Sequence, residues 1–175
     1  MKLKHLLTIT VLTLTLHCGL NAQNLFFIGD KSYPSTGSFE LKLNDSFDNL
    51  KCIIAKNGVT GFFVISKSTM TGSVVKGNVI IYLDDGSVIT LLDRGKRDYV
   101  DGTSTNVYSL TAAEIIKLKN SIINTVRFTI KCPGTNCMSS EDGAFTAKNE
   151  SEKGFSAYSE KKRIDTMALI SSLFN

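Results

Sequence analysis

Residues Leu50 to Ser66 read LKCIIAKNGVTGFFVIS, two apolar and largely β-branched runs on either side of Asn57-Gly58. Asn-Gly accepts the positive φ angles of a tight hairpin turn, so the stretch predicts two antiparallel strands and a fold built on sheet. NVIIYLDDGSVITLL, Asn78 to Leu92, repeats the design around Asp85-Gly86. Upstream, SFELKL alternates Phe39, Leu41 and Leu43 with Glu40 and Lys42, the period of a half-buried strand. These segments predict a meander of at least four antiparallel strands. The pairs differ in side-chain pattern, so they are not units of a solenoid repeat.

The period then changes. In SLTAAEIIKLKNS, Thr111 and Glu114 have the spacing of a capping box, in which the hydroxyl accepts an amide of the first turn and the carboxylate reaches back. Ala112, Ile115, Ile116 and Lys119 follow helical spacing on the expected inward face, with the Lys119 stem at its margin and the helix ending near Asn120. IINTVRFTIK returns to alternation, with Asn124, Val126, Phe128 and Ile130 as the expected core face. AFTAK reads as a short strand. EKKRIDTMALISSLFN reads as an amphipathic helix that lies across one face of the sheet, with Ile164, Met167, Ala168, Leu169 and Ile170 turned inward. Between LFFIG and the first clear strand, DKSYPSTGS reads as a loop; DRGKRDYVDGTSTN reads as polar and turn-rich, with a short strand or none. The expected fold is α+β: a curved antiparallel sheet, a hairpin meander, with one mid-chain and one C-terminal helix.

The first residues, MKLKHLLTITVLTLTLHCGLNAQN, have a positive start at Lys2 and Lys4, an apolar run from Leu6 to Leu16, and small or polar residues from Gly19 to Ala22. That is the layout of a secretory signal peptide, and the apolar run is shorter than the roughly 20 residues of a membrane-spanning helix. The expected organisation is a signal peptide over 1–22, cleaved after Ala22, and one domain over 23–175 with no transmembrane helix. Cys18 raises an alternative, a lipoprotein anchored to the outer membrane through that cysteine, although His17 stands where such signals carry a small residue.

LNAQN at the end of this segment, together with VIIYLDDGSVITLL and VYSLTAAEIIKLKNSIINTVRFTI, resembles small secreted proteins of Bacteroidota-type bacteria, most of them uncharacterised. The resemblance implies a periplasmic or otherwise exported home and carries over no catalytic residues.

Composition narrows the chemistry. Both histidines, His5 and His17, lie in the expected leader, so the cleaved chain would hold none. That excludes Ser-His-Asp and Cys-His mechanisms within one chain and metal sites built on imidazole. The formal charge of +4 falls by two when Lys2 and Lys4 leave, too little for a general nucleic-acid binder. No cofactor motif and no metal-ligand spacing appears. Asp84-Asp85-Gly86 lacks the alternating oxygen ligands of a calcium loop and reads as a turn.

KCPGTNC, Lys131 to Cys137, places Pro-Gly between two cysteines. Pro133 presets φ and Gly134 accepts a positive φ, the signature of a type II turn, so a Cys132–Cys137 disulfide stapling the turn is expected in an oxidising compartment. Four intervening residues depart from the two of thioredoxin-like redox centres, and three cysteines without histidine fall short of the four ligands of zinc. Cys52, in a strand, reads as a small buried apolar residue, with a Cys52 pairing to either loop cysteine as the alternative.

The loop DRGKRDYVDG gathers Asp93, Arg94, Arg97, Asp98 and Asp101; its opposite charges neutralise each other as in a solvated loop, and as a loop held by the sheet it is the candidate binding surface. Lys161-Lys162-Arg163 is a second charged cluster, expected on the solvent face of the last helix. The reading is an exported, non-enzymatic binding module of the cell envelope, with an envelope protein or glycan as partner and no catalytic residues. The alternatives are the Cys18 lipoprotein and a carboxylate-based glycan hydrolase using two of Asp93, Asp98, Asp101 and Glu114, which requires paired carboxylates about 5–10 Å apart.

Overall fold

A computed structural model describes residues 24–43, 48–69, 72–132, 134, 142–152 and 161–175. The expected leader with Cys18, and Cys137 of the cysteine loop, lie outside the described residues.

Twelve strands form one curled antiparallel sheet. They are β1 (Asn24–Ile28), β2 (Lys31–Ser35), β3 (Phe39–Leu43), β4 (Leu50–Asn57), β5 (Thr60–Ser68), β6 (Val74–Val75), β7 (Val79–Leu83), β8 (Val88–Leu91), β9 (Arg97–Val100), β10 (Thr103–Leu110), β11 (Ile123–Lys131) and β12 (Gly143–Lys148). The order is β8-β7-β11-β12-β3-β4-β5-β10-β9, with β2 attached to β4 and carrying β1, and β6 attached to β11. The short strands β13 (Ser151–Glu152) and β14 (Lys161–Lys162) pair with each other. The helices are α1 (Ala112–Asn120) and α2 (Thr166–Phe174). Among the described residues no helix is long and apolar enough to cross a membrane.

Both expected hairpins form, with shifted turns. Asn57 pairs with Thr60, so the β4–β5 loop is Gly58-Val59 rather than Asn57-Gly58. Gly58 has φ +63° and Val59 is not among the positive-φ residues, the pattern of a type II′ turn. In the β7–β8 hairpin the Gly86 amide donates to Leu83 O at 3.1 Å and Gly86 has φ +81°, which makes a three-residue loop ending in a left-handed glycine.

The two hairpins do not form a continuous meander. β5 pairs with β10 and β7 with β11, so the hairpins lie in different halves of the sheet. The halves meet at β3, where Phe39–Leu41 pair with β4 and Lys42–Leu43 pair with β12. Periodicity specifies a strand and its buried face but not its distant neighbour.

DKSYPSTGS is largely strand rather than loop. β2 pairs along its length with β1 around the two-residue turn Gly29-Asp30. Pro34 lies opposite Leu25, a position that by alternation exchanges no ladder hydrogen bonds with β1, so its missing N–H is tolerated there. DRGKRDYVDGTSTN likewise contains β9 and the start of β10. Asp101 (φ +49°) and Gly102 (φ +72°) form their turn, and two successive positive φ values are the type I′ signature.

The inner face carries the core: Leu41, Ile54, Phe63, Ile65, Ile81, Leu91, Tyr108, Val126 and Phe128 are almost wholly buried, with Phe145 stacked on Phe128 at 5.8 Å between ring centres. Cys52 is a free thiol in this core, and burial pushes its pKa well up. In β11 the register shifts between Ile123 and Thr125, so Asn124 is exposed and Ile123 buried, while Val126, Phe128 and Ile130 keep the expected phase.

The helices pack against each other, α1 also against β5 and α2 against β4. The Thr111–Glu114 capping box is present: the Thr111 amide donates to Glu114 Oε2 at 2.7 Å and the Glu114 amide to Thr111 Oγ1 at 3.3 Å. Ile115 and Leu118 are the buried residues of α1, whereas Ile116 is 59% exposed, contrary to expectation. A helical step of about 100° turns Ile116 off the face that Ile115 and Leu118 share. α2 starts after Asp165, whose carboxylate accepts from the Ala168 amide at 2.9 Å. Lys161, Lys162 and Arg163 therefore precede the helix, and Arg163 pairs with Asp84 at 2.8 Å. Thr166 and Ile170 are the buried residues of α2, Met167 and Leu169 are half-buried, and Ala168 is exposed.

Asn149, 1% exposed, ties this end together. Its Nδ2 donates to Ile123 O and to Ile164 O, both at 2.8 Å, and its Oδ1 accepts from the Ile164 amide at 2.9 Å. Its own amide donates to Asn124 O at 2.8 Å, in the shifted part of β11. Asn149→Ala leaves these buried backbone groups unpaired and is expected to lower unfolding free energy by about 2–4 kcal/mol. Urea unfolding followed by far-UV circular dichroism checks this; an unchanged midpoint contradicts it.

Candidate functional site: a groove between the β1–β2 flap and β9

β10 has two working faces. Ser104, Asn106 and Tyr108 point inward and are buried; Thr105 and Val107 point outward. The inward set meets β6. The Val75 amide donates to Ser104 Oγ at 2.8 Å, and Tyr108 Oη donates to Gly77 O at 3.0 Å. Asn106 Nδ2 donates to Tyr108 Oη at 2.9 Å and reaches Val75 O at 3.5 Å. On its other side β6 pairs with β11 through backbone bonds. Side chains of β10 thus replace a strand ladder and draw the two ends of the sheet together. Burial, then the nearby Asp93 carboxylate, push the Tyr108 pKa up, so the phenol keeps its proton for Gly77 O.

Asp93 extends this seam to the groove. Its Oδ2 accepts from the Gly77 amide at 2.7 Å and from Arg97 Nη2 at 2.7 Å, and its Oδ1 from the Gly95 amide at 2.8 Å. Burial raises its pKa, but the two amides, Arg97 and Asn106 outweigh that and hold the carboxyl below its ordinary range. The loop before β9 is thereby fixed.

The Val107 amide donates to Lys96 O at 2.8 Å, extending the β9–β10 pairing by one residue. By alternation Arg97 and Tyr99 turn their backbone groups to the outer edge. The Tyr99 amide there is met by Asp98 Oδ1 at 2.8 Å, and Tyr99 Oη accepts from the Gly72 amide at 3.1 Å. Lys96 and Asp98 take the outer face, opposite Val107 and Thr105.

That outer face bears a second apolar cluster of Ala55, Phe62, Val64 and Val107. The β1–β2 hairpin covers it as a flap: Phe26, Ile28 and Tyr33 pack onto the cluster, and Tyr33 meets Phe62 edge-on at 5.1 Å. Between the flap tip and β9 lies a half-open groove of about 590 Å³. Phe26, Phe27, Ile28 and Val107 make its apolar wall, and Lys96, Arg97, Asp98 and Thr105 its polar side. Lys96 Nζ stands 5.6 Å from the centre of the Phe62 ring. The volume falls in the range of about 300–1,000 Å³ found for small-molecule sites.

Of the expected site residues, the structure brings Arg97 and Asp98 into the groove and sets Asp93 behind Arg97 as its anchor. Arg94 is exposed in the loop and does not line the groove, and Asp101 belongs to the β9–β10 turn. Glu114 is engaged in the helix cap. Phe26, Phe27, Ile28 and Val107 were not anticipated, and Lys96 lies within the expected loop. The signal for Phe26 to Ile28 was the run LFFIG; nothing in the sequence announced that it folds over β10.

No protein-family model, curated protein or solved structure matches the chain.

Asp93 also makes a pH prediction. A depressed folded-state pKa contributes stability that is present above the unfolded carboxylate pKa, about 3.9, and is lost as pH falls through the lower folded value. Asp93→Asn is expected to be less stable than wild type at pH 7, with the difference shrinking below about pH 4. Urea midpoints across pH 2.5–7 check the sign; a gap that widens on acidification refutes it.

Proposed function

We propose that the chain is an exported, non-enzymatic binding module of the bacterial cell envelope and that the flap groove is its binding site. The observation that carries the reading is the groove itself, an apolar wall facing a charged rim on a loop held by Asp93. The carboxylates that a hydrolase would need have local structural roles. Asp93 binds backbone amides and Arg97, Asp98 caps an edge amide, Asp101 forms a turn and Glu114 caps a helix. Export rests on the leader-like first 22 residues and on the resemblance to small secreted proteins. Lipid attachment at Cys18 remains the rival form of the same envelope reading.

Phe27 is 64% exposed, so Phe27→Asp alters the groove without opening the core. Capture from a native envelope fraction on immobilised residues 23–175 is expected to recover an envelope ligand, and the recovery to drop at least tenfold with Phe27→Asp. Recovery that is equal for both proteins excludes the groove as the site.

The Cys132–Cys137 staple belongs to the same reading. Cys52 is free and buried, which leaves Cys137 as the cysteine of the mature chain open to Cys132. Cys132 follows β11 directly, and its Sγ lies 2.9 Å from Gly134 O, so the sulfur is turned along the loop that leads to Cys137. Peptide mapping without reduction is expected to yield a linked Cys132–Cys137 peptide; free thiols at both positions in the exported protein overturn the staple.

A further inference from the structure

Resting on the assignment of the groove as the binding site, we infer that its ligand is a free, single-chain anionic amphiphile, with its tail along Phe26, Phe27, Ile28 and Val107 and its headgroup at Lys96. The wall supplies the tail site. All four residues line the groove, and Phe26, Ile28 and Val107 are continuous with the cluster of Ala55, Phe62 and Val64 beneath the flap. Apolar surface left open beside a covered cluster favours a ligand that extends the covering.

The headgroup follows from which charges are already matched. Arg97 is held by Asp93 at 2.7 Å. Asp98 turns Oδ1 to the Tyr99 amide. Among the described residues Lys96 has no carboxylate partner, and its ammonium stands over Phe62 at the junction of wall and rim. An anion at the end of an apolar chain complements that arrangement. Asp98, two residues along the same face, disfavours a second negative charge further out and so favours a compact monoanionic head.

The edge of β9 argues against an extended peptide. Strand addition needs a row of outward amides and carbonyls. β9 has only four residues, and Asp98 occupies the Tyr99 amide, one of the two that face outward. Charged guards on short edge strands are a recognised block to pairing with another chain. An amphiphile needs no ladder and is unaffected by the guard.

Dodecanoate, kept below its critical micelle concentration, is the probe, with octanoate and dodecyltrimethylammonium as comparisons, measured by calorimetry on residues 23–175. Dodecanoate is expected to bind saturably, one per chain, and at least tenfold tighter than octanoate, since each buried methylene contributes about fourfold. Lys96→Glu is expected to weaken dodecanoate about fivefold or more and to remove its preference over the ammonium amphiphile. Asp98→Asn keeps an acceptor for the Tyr99 amide and is expected to tighten dodecanoate. Both side chains lie on an exposed strand or loop, and unchanged urea midpoints show that the variants fold.

Equal binding of the two headgroup types by wild type overturns the headgroup assignment. Dodecanoate that fails to bind, while Phe27-dependent capture from the envelope fraction persists, overturns the amphiphile and leaves the groove as the site. The same holds if the captured ligand is a peptide. Loss of both measurements removes the groove reading with it. Sedimentation with phosphatidylglycerol vesicles separates the sources: vesicle binding in the absence of free dodecanoate binding assigns the groove to a bilayer surface instead.

Discussion

A two-residue strand is too short to hold a curled sheet closed, and the fold depends on how β6 is held on both sides. β11 bonds one edge of it through backbone groups, while Ser104, Asn106 and Tyr108 of β10 meet Val75 and Gly77 with side chains. Buried amides and carbonyls left unpaired there would each cost about 1–3 kcal/mol, so these polar residues are required in an otherwise apolar interior. Their hydroxyl and amide groups bond β6 where its backbone has no ladder partner in β10. These bonds tie β6 and β10 together beside the main core.

The same seam positions the site. Gly77 receives Tyr108 at its carbonyl and Asp93 at its amide, so a single residue links the interior to the loop that leads into β9. Asp93 then holds Arg97, and Lys96 is carried to the outer face beside Val107. On the opposite side the β1–β2 flap is secured by Tyr33 against Phe62 and by the pairing of Ser35 with Ala55, which Thr36 continues through backbone bonding to Ile54. The groove exists because two separately anchored segments approach without touching along their full length.

Polar chemistry in this protein is largely architectural. Asn149 satisfies the shifted part of β11 and the entry to α2; Thr166 Oγ1 accepts from the Ile123 amide at 2.9 Å; Asp165 and Glu114 cap helices. The groove differs in kind, with a charged rim set against an apolar wall at the surface.

Much of the local structure was legible in the sequence. The strands on either side of Gly58 and Gly86, the alternation of β3 and the Thr111–Glu114 cap all follow from interactions within a few residues. Less local features escaped. Asn57-Gly58 indicated a turn, but which two residues form it depended on the register that places Asn57 opposite Thr60. β2 was hidden and β9 left undecided because Pro, Ser, Gly and charged residues are common in loops, and only their partners make them strands. Of the expected binding loop, Arg97 and Asp98 reach the groove, whereas Lys96 acquires its importance from Val107 and Phe62, which belong to strands distant in sequence. Sequence by itself determined the hairpin strands, the alternation of β3, the two helices and the Thr111–Glu114 cap, because periodicity and side-chain reach act over a few residues. Tertiary structure alone decided strand order, the polar seam and the groove, because each requires backbone or side-chain groups far apart in the chain to meet.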